Sequence, residues 1–83
     1  MASPRSQAVE TIERFLVRAG KEAAFTPETS LFAEGLGLDS LETAELSSML
    51  EDDLGSDPFS TGIMAQSVGE ILNFYPAEEQ LPA

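Results

Sequence analysis

The residues Gly37-Leu38-Asp39-Ser40-Leu41 place one hydroxyl at the start of a helix, behind a tight glycine-containing loop. A hydroxyl there is reachable, and its backbone is held. It suits covalent modification by another protein. A helix N-terminus also accommodates a phosphodiester, because its free N–H groups and its dipole favour a phosphate. Asp39, next in line, can help a modifying enzyme hold a divalent cation or orient the hydroxyl. Ser40 has no reactivity of its own. The chain has no histidine and no cysteine, so neither an imidazole base nor a thiolate is available, and a Ser-His-Asp hydrolase is excluded.

The elements that must hold this serine are legible from spacing. Ser3-Pro4 reads as an N-cap followed by proline at the first helical position. Val9, Ile12, Phe15, Leu16 and Ala19 then recur at three and four residues, predicting a first helix over about 4–19 with Gly20 as its stop. Residues 20–38 form a long loop with turn chemistry at Thr26-Pro27-Glu28-Thr29-Ser30. Phe25, Leu31, Phe32, Leu36 and Leu38 should pin it to the core. Asp39 and Glu42 make a capping-box pattern, and the second helix runs from about Ser40 to Leu54, ending at Gly55. Its Leu46, Leu50 and Leu54 form a core stripe, with Thr43 and Ser47 beside it. Leu41, Glu45, Ser48, Met49 and Asp52 fall on a different face, which mixes apolar groups with acids. A short helical turn is expected within Phe59 to Met64. Ser67-Val68-Gly69-Glu70 is a second capping box, and Val68, Ile71, Leu72 and Tyr75 give the last helix its buried stripe before Pro76. The expected architecture is a small all-α four-helix bundle, with three longer helices and a short one. It is one domain over 1–83, ordered over about 4–75, with a flexible tail at 77–83.

Charge narrows the partners. The formal net charge is −11, and all four basic residues (Arg5, Arg14, Arg18, Lys21) lie in the first 21 positions. From Glu22 onward there are 13 acids and no base. Such a surface repels phosphate backbones and anionic headgroups, so neither nucleic acid nor a membrane surface is an expected partner. It attracts proteins with basic patches and favours a monomer. No run of 18 apolar residues exists, and the N-terminus leads into an amphipathic segment rather than an apolar signal core, which points to a cytoplasmic protein. An 83-residue chain buries only roughly 60–65% of its unfolded surface, leaving little room for an enclosed active site.

The stretch Leu31-Phe32-Ala33-Glu34-Gly35-Leu36-Gly37-Leu38-Asp39-Ser40-Leu41-Glu42-Thr43-Ala44-Glu45-Leu46 resembles the attachment region of acyl carrier proteins, and the similarity extends from about Val9 to Tyr75. The resemblance implies a carrier rather than an enzyme. Ser40 would receive 4′-phosphopantetheine from coenzyme A through a magnesium-dependent phosphopantetheinyl transferase, and the arm's thiol would carry acyl groups as thioesters. It implies that the second helix docks partners, with Leu41, Glu45, Ser48, Met49 and Asp52 at the matching positions. An acyltransferase or acyl-activating ligase would load the arm, and a ketosynthase or other pathway enzyme would draw on it. The chain reads G-L-D-S-L where bacterial fatty-acid carriers typically read G-A-D-S-L, and Gly55 to Gly62 lacks their acidic third-helix stretch. It is therefore more similar to a discrete carrier of a specialised polyketide or polyketide–peptide pathway. An aminoacyl or peptidyl carrier is the nearest alternative, and an acidic helical adaptor without an arm is the alternative from another class.

Other patterns carry less. Glu51-Asp52-Asp53 with Asp57 lacks the alternating ligands, central glycine and closing glutamate of a calcium loop. Gly35-x-Gly37 follows no strand and is no nucleotide loop. The aromatic residues read as core and loop anchors, some of them lining space between helices together with Ile63 and Met64.

Overall fold

Helix α1 spans Pro4–Arg18. In the computed structural model, which describes residues 3–32, 35–63 and 65–76, its cap is as the sequence predicts. The Ser3 hydroxyl accepts the Ser6 N–H at 3.1 Å, and proline occupies the first turn. The helix ends at Arg18, one residue short of the expected end at 19, with Ala19 as C-cap. Helix α2, Ser40–Leu54, matches the expected limits, and Gly55 closes it in the left-handed conformation. Helix α3, Val68–Phe74, is capped by Ser67, whose hydroxyl accepts the Glu70 N–H at 3.3 Å. The Glu70 carboxylate meets the Ser67 hydroxyl rather than the Ser67 backbone, so this cap is half of the expected box.

The expected fourth helix is a single 3-10 turn, Phe59–Thr61. Its shortness has a local cause. Pro58 opens it, Gly62 at φ +88° closes it, and the Thr61 hydroxyl turns back to the Pro58 carbonyl at 2.8 Å. Three residues between those breakers cannot extend into an α-helix. Met64 and the tail from 77 lie outside the described residues.

The core is continuous. Ala8, Ile12, Phe15 and Leu16 of α1 meet Leu46 and Leu50 of α2 and Val68, Ile71 and Leu72 of α3, and all are buried. Leu54, Val9 and Ala19 pack at its margin, half-buried. Leu31 and Leu38 anchor the long loop in this core, and Phe25 and Leu36 pack against it, as their spacing predicts. Phe32 does not; it is 38% exposed. The loop is also tied by backbone. Leu31 N–H donates to the Gln66 carbonyl, Val68 N–H to Thr29 and Gly69 N–H to Pro27, with an antiparallel bridge between Ser30 and Ser67. Two glycines let the chain turn back toward α2. A Cβ on Gly35 would drive into the Ser30 carbonyl oxygen, and Gly37 sits at φ +70°.

The four cations bridge α1 and the residues just after it to α2 and α3. Arg14 pairs with Asp53, Arg18 with Glu45 at 3.5 Å, and Lys21 with Glu42 at 3.6 Å. These pairs run antiparallel along α1, its C-terminal extension and α2. The Arg5 guanidinium donates from Nε to the Leu72 and Tyr75 carbonyls at 3.0 and 3.1 Å, closing the end of α3. Exposed pairs each contribute only about 0–1 kcal/mol. Their placement nonetheless explains why the bases cluster in the first 21 residues: α1 must approach an acidic α2.

Candidate functional site at the start of α2

Asp39 builds the site. Its carboxylate Oδ1 accepts the Glu42 N–H at 2.8 Å, and Glu42 Oε1 accepts the Asp39 N–H at 3.2 Å, completing the capping box. The Asp39 carbonyl takes the Thr43 N–H and, at 2.8 Å, the Thr43 hydroxyl. These bonds use the N–H groups of Glu42 and Thr43. Those of Ser40 and Leu41 have no acceptor within the helix and are free for an anion. Ser40 is exposed on the rigid first turn that results.

Beside Ser40 lies an open groove of about 700 Å³, lined by Phe32, Leu38, Asp39, Ser40, Thr43, Ala44, Ser47, Phe59 and Ser60. The lining mixes apolar side chains (Phe32, Leu38, Ala44, Phe59) with hydroxyls (Ser40, Thr43, Ser47, Ser60). A smaller hollow of about 140 Å³ adjoins it at Phe32, Thr43 and Phe59, with Ala65 and Gln66 as its remaining walls.

Asp57 fixes two of these hydroxyls, Ser47 and Ser60. It is buried, at 1% exposure. Oδ1 accepts the Ser47 hydroxyl at 2.8 Å and the Ser60 N–H at 3.0 Å, and Oδ2 accepts the Ser60 hydroxyl at 2.7 Å. Burial pushes its acidity down, but the donors from Ser60, Ser47 and the Phe59 backbone prevail and hold its pKa below the ordinary carboxylate value. The 3-10 turn is thereby latched to α2 by an ionised group. Nearby, the Tyr75 hydroxyl donates to the Ser56 carbonyl at 2.9 Å. Burial, with the Asp57 charge adding to it, pushes the phenol up to about 12.

The face expected to dock partners divides in two. Leu41, Ser48 and Asp52 point outward, with Leu41 79% exposed. Asp52 has no ion-pair partner among the described residues. Glu45 instead turns to Arg18, and Met49 packs half-buried against the core. Spacing did not separate these two sets because Glu45 and Met49 lie at the border of the α1 contact. The groove itself was missed in part. Spacing places Thr43 and Ser47 beside the core stripe, and it sets Asp57 at the opening of a connection and next to an acidic run without a calcium loop's pattern, so neither reading shows the groove. The signal was Asp57-Pro58 with Ser60 three residues on, a cap-like pattern that calls for a local acceptor. No cluster of three or more metal-ligating side chains occurs among the described residues.

The comparison with protein families bears on this arrangement. Residues 8–75 match the family model described as "Phosphopantetheine attachment site". The chain belongs to that family. No curated protein and no solved structure matches it significantly. It is a carrier protein whose prosthetic group is 4′-phosphopantetheine, held covalently on a serine. Carriers of this family work with partner enzymes such as transferases and synthases. No helix among the described residues is long and apolar enough to cross a membrane.

The residues at the start of α2 fit such a group. Ser40 is exposed, the two unpaired N–H groups suit a phosphate, and the groove falls in the range of about 300–1,000 Å³ typical of small-molecule sites. When bound, the group supplies a thiol, the chemistry that an 83-residue chain with no cysteine lacks.

Proposed function

We propose that Ser40 is the attachment point and that the protein is a discrete acyl carrier of a specialised polyketide or polyketide–peptide pathway. The observation that carries the first half is Ser40 itself: an exposed hydroxyl on a capped helix start, beside a groove, within the matched region. Asp39 assists the modification. Its Oδ1 is committed to the cap, which leaves Oδ2 available to a divalent cation brought by the transferase. The chain itself holds, exposes and presents; partner enzymes do the chemistry on the cargo.

The polyketide assignment rests on sequence departures. Leu38 precedes Asp39-Ser40, and Gly55 to Gly62 lacks an acidic helix. The reduction of that region to a 3-10 turn supports the same reading. Docking uses the outward stripe of α2, where Leu41 offers apolar contact and Asp52 offers steering charge to a basic partner.

The Ser40→Ala variant tests the attachment point. Treated with coenzyme A, magnesium and a phosphopantetheinyl transferase, it should gain no mass while keeping the far-ultraviolet spectrum of the parent. A folded variant that loads like the parent would sink the assignment. Loading of the holo protein by an acyltransferase rather than by an amino-acid-adenylating enzyme separates the acyl carrier from an aminoacyl one.

A further inference from the structure

One cation sits against the cap that holds Ser40. The Lys21 ammonium lies 3.6 Å from Glu42 Oε1, and that same oxygen accepts the Asp39 N–H at 3.2 Å. The other three cations bear on groups elsewhere: Arg14 on Asp53, Arg18 on Glu45, and Arg5 on carbonyls at the end of α3. Lys21–Glu42 is also the most shielded of the ion pairs among the described residues. Its two side chains are each 26% exposed, whereas the arginines of the other pairs are 61% and 71% exposed. A shielded pair keeps more of its attraction than an open one.

Lys21 is held from behind as well. Helix α1 ends in a Schellman motif: the Lys21 N–H donates to the Leu16 carbonyl at 2.8 Å and the Gly20 N–H to the Val17 carbonyl at 3.1 Å, with Gly20 at φ +74°. Leu16 is fully buried, so the Lys21 backbone is tied to the core. From the core outward the order is Leu16, Lys21, Glu42, Asp39, Ser40. The two bonds of the capping box differ in length. The Glu42 N–H reaches Asp39 Oδ1 at 2.8 Å, but the Asp39 N–H reaches Glu42 Oε1 only at 3.2 Å. The longer bond depends on a glutamate side chain that has several rotamers to choose from, and an ion pair on the same oxygen narrows that choice. No other cation among the described residues pairs with this turn.

We propose that Lys21 is a positioning residue for the modification of Ser40: it holds Glu42 on the Asp39 N–H and so fixes the turn that presents the hydroxyl. The inference rests on Ser40 being the attachment point. In the reaction it serves, Ser40 Oγ forms a bond to the phosphorus nearer the pantetheine in coenzyme A. The pyrophosphate bond breaks, 3′-phosphoadenosine 5′-phosphate leaves, and the hydroxyl proton passes to a base on the transferase. The attacking oxygen must be aligned with the bond that breaks, so play in the first turn of α2 lowers kcat. Charge alone predicts the opposite sign. Removing a cation from a chain of net charge −11 should improve its association with a basic transferase. The direction of the effect therefore separates positioning from steering.

The test uses the full chain before loading, with coenzyme A, magnesium and a phosphopantetheinyl transferase, and reads kcat and KM for the carrier by intact mass. Lys21→Met should lower kcat about threefold, as a partly shielded ion pair implies, without raising KM. Lys21→Arg keeps the charge at similar reach and should recover the parent kcat. Arg18→Met removes the same charge from the neighbouring pair and should leave kcat at the parent value. In a Glu42→Gln background, where the box can still form, Lys21→Met should have no further effect. A second readout needs no transferase. Exchange of the Asp39 amide proton, measured by NMR on ¹⁵N-labelled protein, should rise about threefold in Lys21→Met and stay at the parent rate in Arg18→Met. Equal kcat for the parent and Lys21→Met, with Ser40 loaded in both, overturns the positioning role alone. So does a matching loss in Arg18→Met, a failure of Lys21→Arg to recover, or unchanged Asp39 exchange. Absence of any mass gain on Ser40 of the parent overturns the attachment point and the positioning role together.

Discussion

Removal of the Asp57 carboxylate is the perturbation whose size the structure fixes best. In Asp57→Ala three hydrogen bonds to a buried anion are lost, two from Ser60 and one from Ser47. Bonds to charged groups contribute about 1.5–3 kcal/mol each in protected settings. Ser60 is exposed and regains water, whereas Ser47 is only half-exposed. The net loss is therefore about 2–3 kcal/mol, well below the sum of three isolated bonds. For a domain of this size that lowers Tm by about 10–20 °C. Thermal unfolding followed by circular dichroism reads this directly. The pH dependence supplies an independent check. The folded-state pKa of Asp57 is lowered, so its stabilisation is present above the unfolded value of about 3.9 and is lost as pH falls through the lower folded value. The gap between parent and variant should be full at pH 7 and should narrow below about pH 4. A Tm loss under about 3 °C at pH 7, or a gap that stays constant down to about pH 3, would refute the latch.

Other outcomes follow from the same coordinates. Gly35→Ala should destabilise the fold by about 2 kcal/mol or more, because its Cβ meets the Ser30 carbonyl; denaturant titration checks it, and a neutral result contradicts the loop geometry. Tyr75 is the chain's one tyrosine, so its ultraviolet titration is unambiguous. With its pKa raised to about 12, it contributes stability that is full below the unfolded value of about 10 and declines as pH rises from there toward 12. A midpoint near 10 in protein that is still folded would contradict this. Asp52→Lys should slow association with a basic partner enzyme several-fold at low salt and by less at high salt. Glu45→Lys should instead place a cation against Arg18 and lower Tm by a few degrees. Equal effects of the two on association and on Tm would argue against the division of the α2 face.

The elements around Ser40 were legible because local chemistry alone decides them. Asp39 with Glu42 specifies a helix start whatever surrounds it, and α2 begins and ends where its cap and Gly55 dictate. The apolar residues of the long loop announced that it is pinned, and Leu31 and Leu38 are indeed buried. Long-range partners were not legible. Nothing in the spacing of α2 shows that Glu42, Glu45 and Asp53 meet Lys21, Arg18 and Arg14, because that depends on how α1 crosses it. Phe32 read as an anchor since an aromatic residue in an apolar loop usually is one, yet here it frames the groove. Asp57 looked like part of an acidic run. Its burial depends on Ser47, ten residues away on another element, and on the turn that brings Ser60 back to it.

The central claim is that Ser40 carries the prosthetic group. The measurement that tests it most directly is intact-protein mass spectrometry of the parent chain after incubation with coenzyme A, magnesium and a broad-specificity phosphopantetheinyl transferase, followed by peptide mapping. The account predicts one added phosphopantetheinyl group per chain, located on Ser40. No addition to folded protein with several transferases, or addition at any other serine, would contradict it.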